Sequence, residues 1–139
     1  MFDDDELGLS SRPARILIVE DNVIQAMDLA APLEDAGYDI VGPAPCLSRA
    51  LELIRTSEID AALLDIGLEH STSYPAAEAL MQLGVPFAFL SGFEAQELRP
   101  DFEKHTLIDK PVAPAKLRRA VRSLLSDFKR ETRCRHTTH

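Results

Sequence analysis

Glu20, Asp21, Asp65, Ser91 and Lys110 are residues whose types could do chemistry together. Each closely follows a short apolar run. RILIV (15–19) leads to Glu20 and Asp21, and AALL (61–64) leads to Asp65. VPFAFL (85–90) leads to Ser91, and TLI (106–108) is followed by Asp109, Lys110 and Pro111. If these runs are strands of one parallel sheet, their carboxyl ends share an edge, where open α/β sheets place their ligands. Three carboxylates in one crevice repel and raise at least one pKa unless a cation sits among them. Hard oxygen donors at an open site suit Mg²⁺, which keeps several waters and leaves room for a phosphoryl group. A lysine and a hydroxyl opposite the cation can hold phosphoryl oxygens, and one aspartate is then free to attack phosphorus and form an acyl phosphate. Asp65 alone reads equally well as a helix cap or loop residue; the company of the other strand ends gives it a chemical reading.

The elements that must position these residues follow from pattern. DAALLDIGL (60–68) is a strand covered on both faces, because its apolar run is unbroken and Gly67 follows closely. After the first strand Asn22 can cap a helix in which Val23, Ile24, Met27, Ala30 and Ala31 recur at helical spacing, with Gly37 as its stop. Pro32 predicts a kink or an early end there, since it lacks an N–H and crowds the preceding turn. YDIVG (38–42) is a second strand ended by Pro43 and Pro45, and Ser48 can cap a helix through Ile54. Glu69–Ser73 is a loop. Pro75 suits a first helical position, with a helix through Leu83 closed by Gly84. Glu94–Leu98 is a weak helix before Pro100. Pro114 starts a final helix with Leu117, Val121, Leu124 and Phe128 along one stripe. Five β-α units in this order predict a doubly wound, five-stranded parallel sheet with helices on both faces.

The chain has 139 residues, 45% of them hydrophobic, which suits one domain with a core. No apolar run is long enough to span a bilayer, and the acidic start MFDDDELGLS lacks the order of a secretory signal. The formal net charge of −8 argues against nucleic acid as a direct partner. Cys46 and Cys134 match no metal spacing and read as reduced thiols of a cytoplasmic protein. The expected organisation is an acidic extension over 1–13, a folded domain over 14–127 and a polar, basic tail over 128–139. Arg118, Arg119 and Arg122 read as a solvated face of the last helix.

The segments ILIVEDN (16–22), AALLDIGL (61–68), FLSGF (89–93) and DKPV (109–112), in this order and each at a strand end, resemble the receiver domain of two-component response regulators. The resemblance spans about residues 14 to 127. It implies the CheY-like flavodoxin fold with strand order 2-1-3-4-5. It implies Asp65 as phosphoacceptor, Asp21 as a direct Mg²⁺ ligand, Glu20 acting through water, and the Gly67 carbonyl as a further ligand. Ser91 corresponds to the switch hydroxyl and Lys110 to the phosphate-pairing lysine, and the bond before Pro111 is typically cis in the family. The implied donor is a sensor histidine kinase or a histidine phosphotransfer protein, and the implied readout is contact with a downstream protein. A monomer or weak homodimer is expected, with neither nucleic acid nor membrane as partner.

Two departures from the family stand out. The strand-five position that usually carries an aromatic switch residue is Leu107, and Gly67 offers no side chain near the phosphate. Phe93, after Ser91 and Gly92, is a candidate to take over part of the aromatic's role, as in a subgroup of single-domain regulators with a Phe-Ala-Thr-Gly-aromatic segment on strand four. With Gly67, Phe93 would tune the lifetime of the phosphoryl group. The reading is a stand-alone signalling receiver rather than a turnover enzyme. Its alternatives are a phosphate sink for a shared kinase, a phosphorylation-independent binding module, and a phosphatase of the haloacid-dehalogenase type. The last wants a second aspartate two residues after the nucleophile, where Gly67 stands.

Overall fold

The computed structural model describes residues 12–68, 71–92, 99–102 and 106–137, with Asp101 and residues 127–137 described by backbone alone. Strands β1 (Arg15–Val19), β2 (Asp39–Ala44), β3 (Ala61–Asp65), β6 (Phe87–Ser91) and β7 (Thr106–Asp109) form one sheet in the order β2-β1-β3-β6-β7. Every neighbouring pair is parallel. The order is the expected 2-1-3-4-5, because β4 (Gly67–Leu68) and β5 (Ser71–Thr72) pair only with each other in a small antiparallel ribbon. That ribbon occupies part of the expected 69–73 loop.

The unbroken apolar runs arise because both faces of the sheet are covered. Along β1, Leu17 and Val19 face α2 (Leu47–Thr56) and α3 (Tyr74–Leu83), packing with Leu53, Ile54, Ala77 and Leu80. Ile16 and Ile18 face α1 (Val23–Asp35) and α4 (Pro114–Thr137), packing with Leu29, Leu33, Leu117 and Val121. The same alternation divides Leu64 from Leu63 and Phe89 from Leu90, as the two-residue period of a strand requires.

Several local expectations are corrected. In α1 the buried residues are Ala26, Leu29 and Leu33, while Val23, Ile24 and Met27 are 71%, 70% and 62% exposed. The helix carries more apolar residues than one face can hold, and packing against the sheet selects one set. Pro32 does not end α1, which runs to Asp35; it lies near the helix end, where the Ala36 N–H closes on Pro32 O and Leu33 O. In α2 the N-cap residue is Cys46, not Ser48, and no side chain caps it. β2 continues through Pro43 with an irregular register between Leu17 and Val19, which an edge strand tolerates. The α4 backbone continues to Thr137, so the stretch expected to be a tail from 128 is helical there. The expected Glu94–Leu98 helix and the acidic start over 1–11 lie outside the described residues.

Candidate phosphoryl-accepting site

The carboxyl ends of β1, β3, β6 and β7 do share one edge. Glu20 follows β1 with its backbone N–H donating to Ala44 O at 3.0 Å. Its carboxylate is buried and accepts from the Asn22 N–H at Oε2 (3.1 Å). Asp21 is half-buried at the turn into α1. Asp65 closes β3, buried, with Ile66 N–H held by Leu90 O at 3.1 Å. Oxygens of Glu20, Asp21 and Asp65 all lie within 4.8 Å of one another. This all-oxygen donor set, opening into a cavity, fits a hard divalent cation such as Mg²⁺.

Lys110 enters from β7. Its backbone N–H donates to Ser91 O at 2.8 Å, which ties the two strand ends together. Its ammonium donates to Glu20 Oε1 at 2.9 Å, Asp65 Oδ2 at 3.1 Å and Gln25 Oε1 at 2.6 Å. The Lys110–Pro111 bond is cis. Ser91 is buried at the end of β6, and its hydroxyl donates to Gly92 O at 3.4 Å. Glu20, Gln25, Asp65, Gly67, Lys110 and Pro111 line one open cavity of about 560 Å³. A Cβ at Gly67 would meet nothing within 4 Å, so its place in the cavity wall does not require glycine. Phe93 lies outside the described residues.

The electrostatics follow from this packing. Burial pushes the Asp65 carboxyl up to about 6, the Glu20 charge adds to the rise, and the Lys110 ammonium opposes it. Burial pulls Lys110 down, but its hydrogen bond to Glu20 and the Asp65 charge outweigh that, so its ammonium is held above the usual value. Lys110 is thus the counter-charge that lets two buried carboxylates coexist.

Leu107 sits in β7 opposite Phe89 and packs, partly buried, against the α2–α3 side of the core. The aromatics there come from neighbours. Phe89 meets Tyr74 edge-on (5.8 Å between centroids) and Phe102 edge-on (5.3 Å), while Tyr74 and Phe102 stack at 5.3 Å. Arg99 lies over both Tyr74 and Phe102, at 4.9 and 4.8 Å, and pairs with Glu78 at 3.0 Å. Sequence reasoning missed this cluster and missed Gln25. The Asn22-x-x-Gln25 spacing was a signal for a helix-capping pair, but nothing local tied it to Lys110.

Residues 16–122 match the response regulator receiver domain family, and the chain belongs to that family. The chain is 29% identical over 124 residues to the transcriptional regulatory protein PdtaR of Mycobacterium tuberculosis, covering 86% of this chain and 60% of that protein. It is 32% identical over 116 residues to the phyllosphere-induced regulator PhyR of Methylorubrum extorquens, covering 79% of this chain and 43% of the relative. The chain therefore spans only part of the length of these curated relatives. The solution structure of SdrG from Sphingomonas melonis Fr1 superposes with a TM-score of 0.73 at 33% identity, covering 81% of this chain and 97% of that one. A CheY-like receiver domain from Methanospirillum hungatei shares the fold, with a TM-score of 0.76 at 24% identity, covering 86% of this chain and 99% of that one. Among the described residues no helix is long and apolar enough to cross a membrane.

Proposed function

We propose that this receiver takes a phosphoryl group onto Asp65 from a phosphohistidine of a sensor histidine kinase or histidine phosphotransfer protein, and signals by protein contact. The observation that carries this reading is the carboxylate cluster of Glu20, Asp21 and Asp65 with Lys110 Nζ 3.1 Å from Asp65 Oδ2. An Asp65 carboxylate oxygen attacks phosphorus, the bond to the histidine nitrogen breaks, and the released imidazole takes a proton from solvent. Lys110 transfers a hydrogen bond from the Asp65 oxygen to a phosphoryl oxygen, where its charge offsets the charge on the phosphoryl group. Mg²⁺, held by Glu20, Asp21, Asp65 and the Gly67 carbonyl, would supply the remaining neutralisation of the phosphoryl oxygens. Ser91 turns its hydroxyl from Gly92 O to the new phosphate. Gly67, in the cavity wall, leaves the path of an attacking water open on its side and so tunes how long the acyl phosphate lasts.

The exposed apolar side chains Val23, Ile24 and Met27 stand on the first turns of α1, the helix that supplies Gln25, Asp28 and Leu29 to the cavity wall. They give the phosphodonor an apolar footing beside the site. The test is incubation of the purified protein with Mg²⁺ and acetyl phosphate, followed by intact mass. One phosphoryl group gained by the wild type and not by Asp65→Asn supports the reading. A wild-type protein that keeps its mass while folded and supplied with Mg²⁺ overturns it.

A further inference from the structure

Gln25 has a local role that it does not perform. Asn22-x-x-Gln25 has the spacing of a reciprocal capping pair, in which the cap side chain takes the third residue's N–H and the third side chain reaches back to the cap's N–H. The first half is made: Asn22 Oδ1 accepts from Gln25 N–H at 2.9 Å. The second half is not, because Glu20 Oε2 already accepts from the Asn22 N–H at 3.1 Å. The Gln25 amide is released from the helix end, and its Oε1 accepts from Lys110 Nζ at 2.6 Å.

An ammonium has three protons. Those of Lys110 meet Glu20, Asp65 and Gln25, two carboxylates and one neutral amide. The two carboxylates belong to the acidic cluster, and when they turn to a cation their hold on the lysine weakens. Gln25 is neutral and outside that cluster, so its bond to Nζ survives the change. We propose that Gln25 is a positioning residue, which holds the Lys110 ammonium at the cavity wall so that it meets the incoming phosphoryl oxygens without first being ordered from solvent. This rests on the phosphoacceptor reading of Asp65. The cap bond of Asn22 contributes by fixing the backbone from which Gln25 reaches.

The test compares wild type with Gln25→Met, which keeps length and helix preference but has no amide acceptor, and Gln25→Glu, which keeps an acceptor at the same reach. Two readouts are taken. One is the ammonium resonance of Lys110 by NMR without metal, assigned through its loss in Lys110→Arg. The other is the rate of phosphorylation by acetyl phosphate with Mg²⁺. In Gln25→Met the resonance is expected to shift or broaden through faster exchange, and phosphorylation to slow about three- to tenfold as lysine freedom returns. Gln25→Glu is expected to restore the resonance and most of the rate. A Gln25→Met protein with the wild-type resonance and rate overturns the inference, as does an equal slowing in both variants with the resonance unmoved. If instead the wild type itself takes no phosphoryl group, the phosphoacceptor reading falls, and Gln25's part in transfer falls with it.

Discussion

Asp65 is held in a place that disfavours its own charge. Its carboxyl stands at about 6 against an ordinary 3.8, because it is buried and faces Glu20. The folded chain therefore binds this proton more tightly than the unfolded chain does. The sign is the reverse of an ordinary salt-bridged aspartate: the contribution is most favourable below the unfolded value and is lost as pH rises between about 4 and about 6. Near neutral pH without metal the ionised Asp65 costs on the order of 2 kcal/mol. Asp65→Asn is expected to unfold at higher urea than wild type at pH 7, with the gap closing as pH falls through that window. A gap that is the same at pH 4 and pH 7 would show that Asp65 ionisation is not its source. Such a cost at the proposed phosphoryl acceptor follows a familiar pattern, in which function is bought with stability. The convergence of Glu20, Asp21, Asp65 and Lys110 was legible in the sequence because each stands at or just after the end of an apolar strand. Gln25 was not, since its partner lies 85 residues away.

At the scale of elements, the strands were easier to read than the helix faces. β1 spans RILIV as expected, because a strand buried on both faces has no ambiguity of side. β3 covers only Ala61–Asp65 of the expected 60–68 strand, since Gly67–Leu68 leave the sheet to pair with Ser71–Thr72. α1 was misread on its buried face: Val23, Ile24 and Met27 fit helical spacing as well as Ala26, Leu29 and Leu33 do, and only the sheet decides between them. The missing strand-five aromatic has a similar lesson. Leu107 is flanked by an aromatic cluster assembled from α3, β6 and the short helical turn Pro100–Phe102, separate stretches that no local pattern links. Phe102 is 1% exposed and touches Tyr74, Phe87 and Phe89. Phe102→Ala is expected to cost about 3–5 kcal/mol in denaturant unfolding, from the lost burial and the cavity left behind. Leu107→Ala, at a site already partly open, is expected to cost less. Equal losses would mean that the cluster does not anchor this side of the sheet.

Over the whole molecule, five parallel strands bring residues from positions 20 to 110 to one edge, and the chain carries a formal charge of −8. The acidic cluster of Glu20, Asp21 and Asp65 at that edge is where a bound divalent cation would relieve repulsion between carboxylates. Saturating Mg²⁺ is expected to raise stability by about 1–3 kcal/mol in thermal unfolding through binding to the folded state alone. Asp21→Asn is expected to lose most of that gain; a variant that keeps it would remove Asp21 from the cation's donors.

The central claim, that Asp65 is the phosphoryl acceptor, is tested most directly by trapping the bond. After incubation with acetyl phosphate and Mg²⁺, borohydride reduces an aspartyl phosphate to homoserine, and peptide mass spectrometry locates it. The expected result is homoserine at position 65, absent when the phosphodonor is left out. Homoserine at position 21 instead, or none at position 65 in folded protein shown by mass to carry a phosphoryl group, would contradict the account.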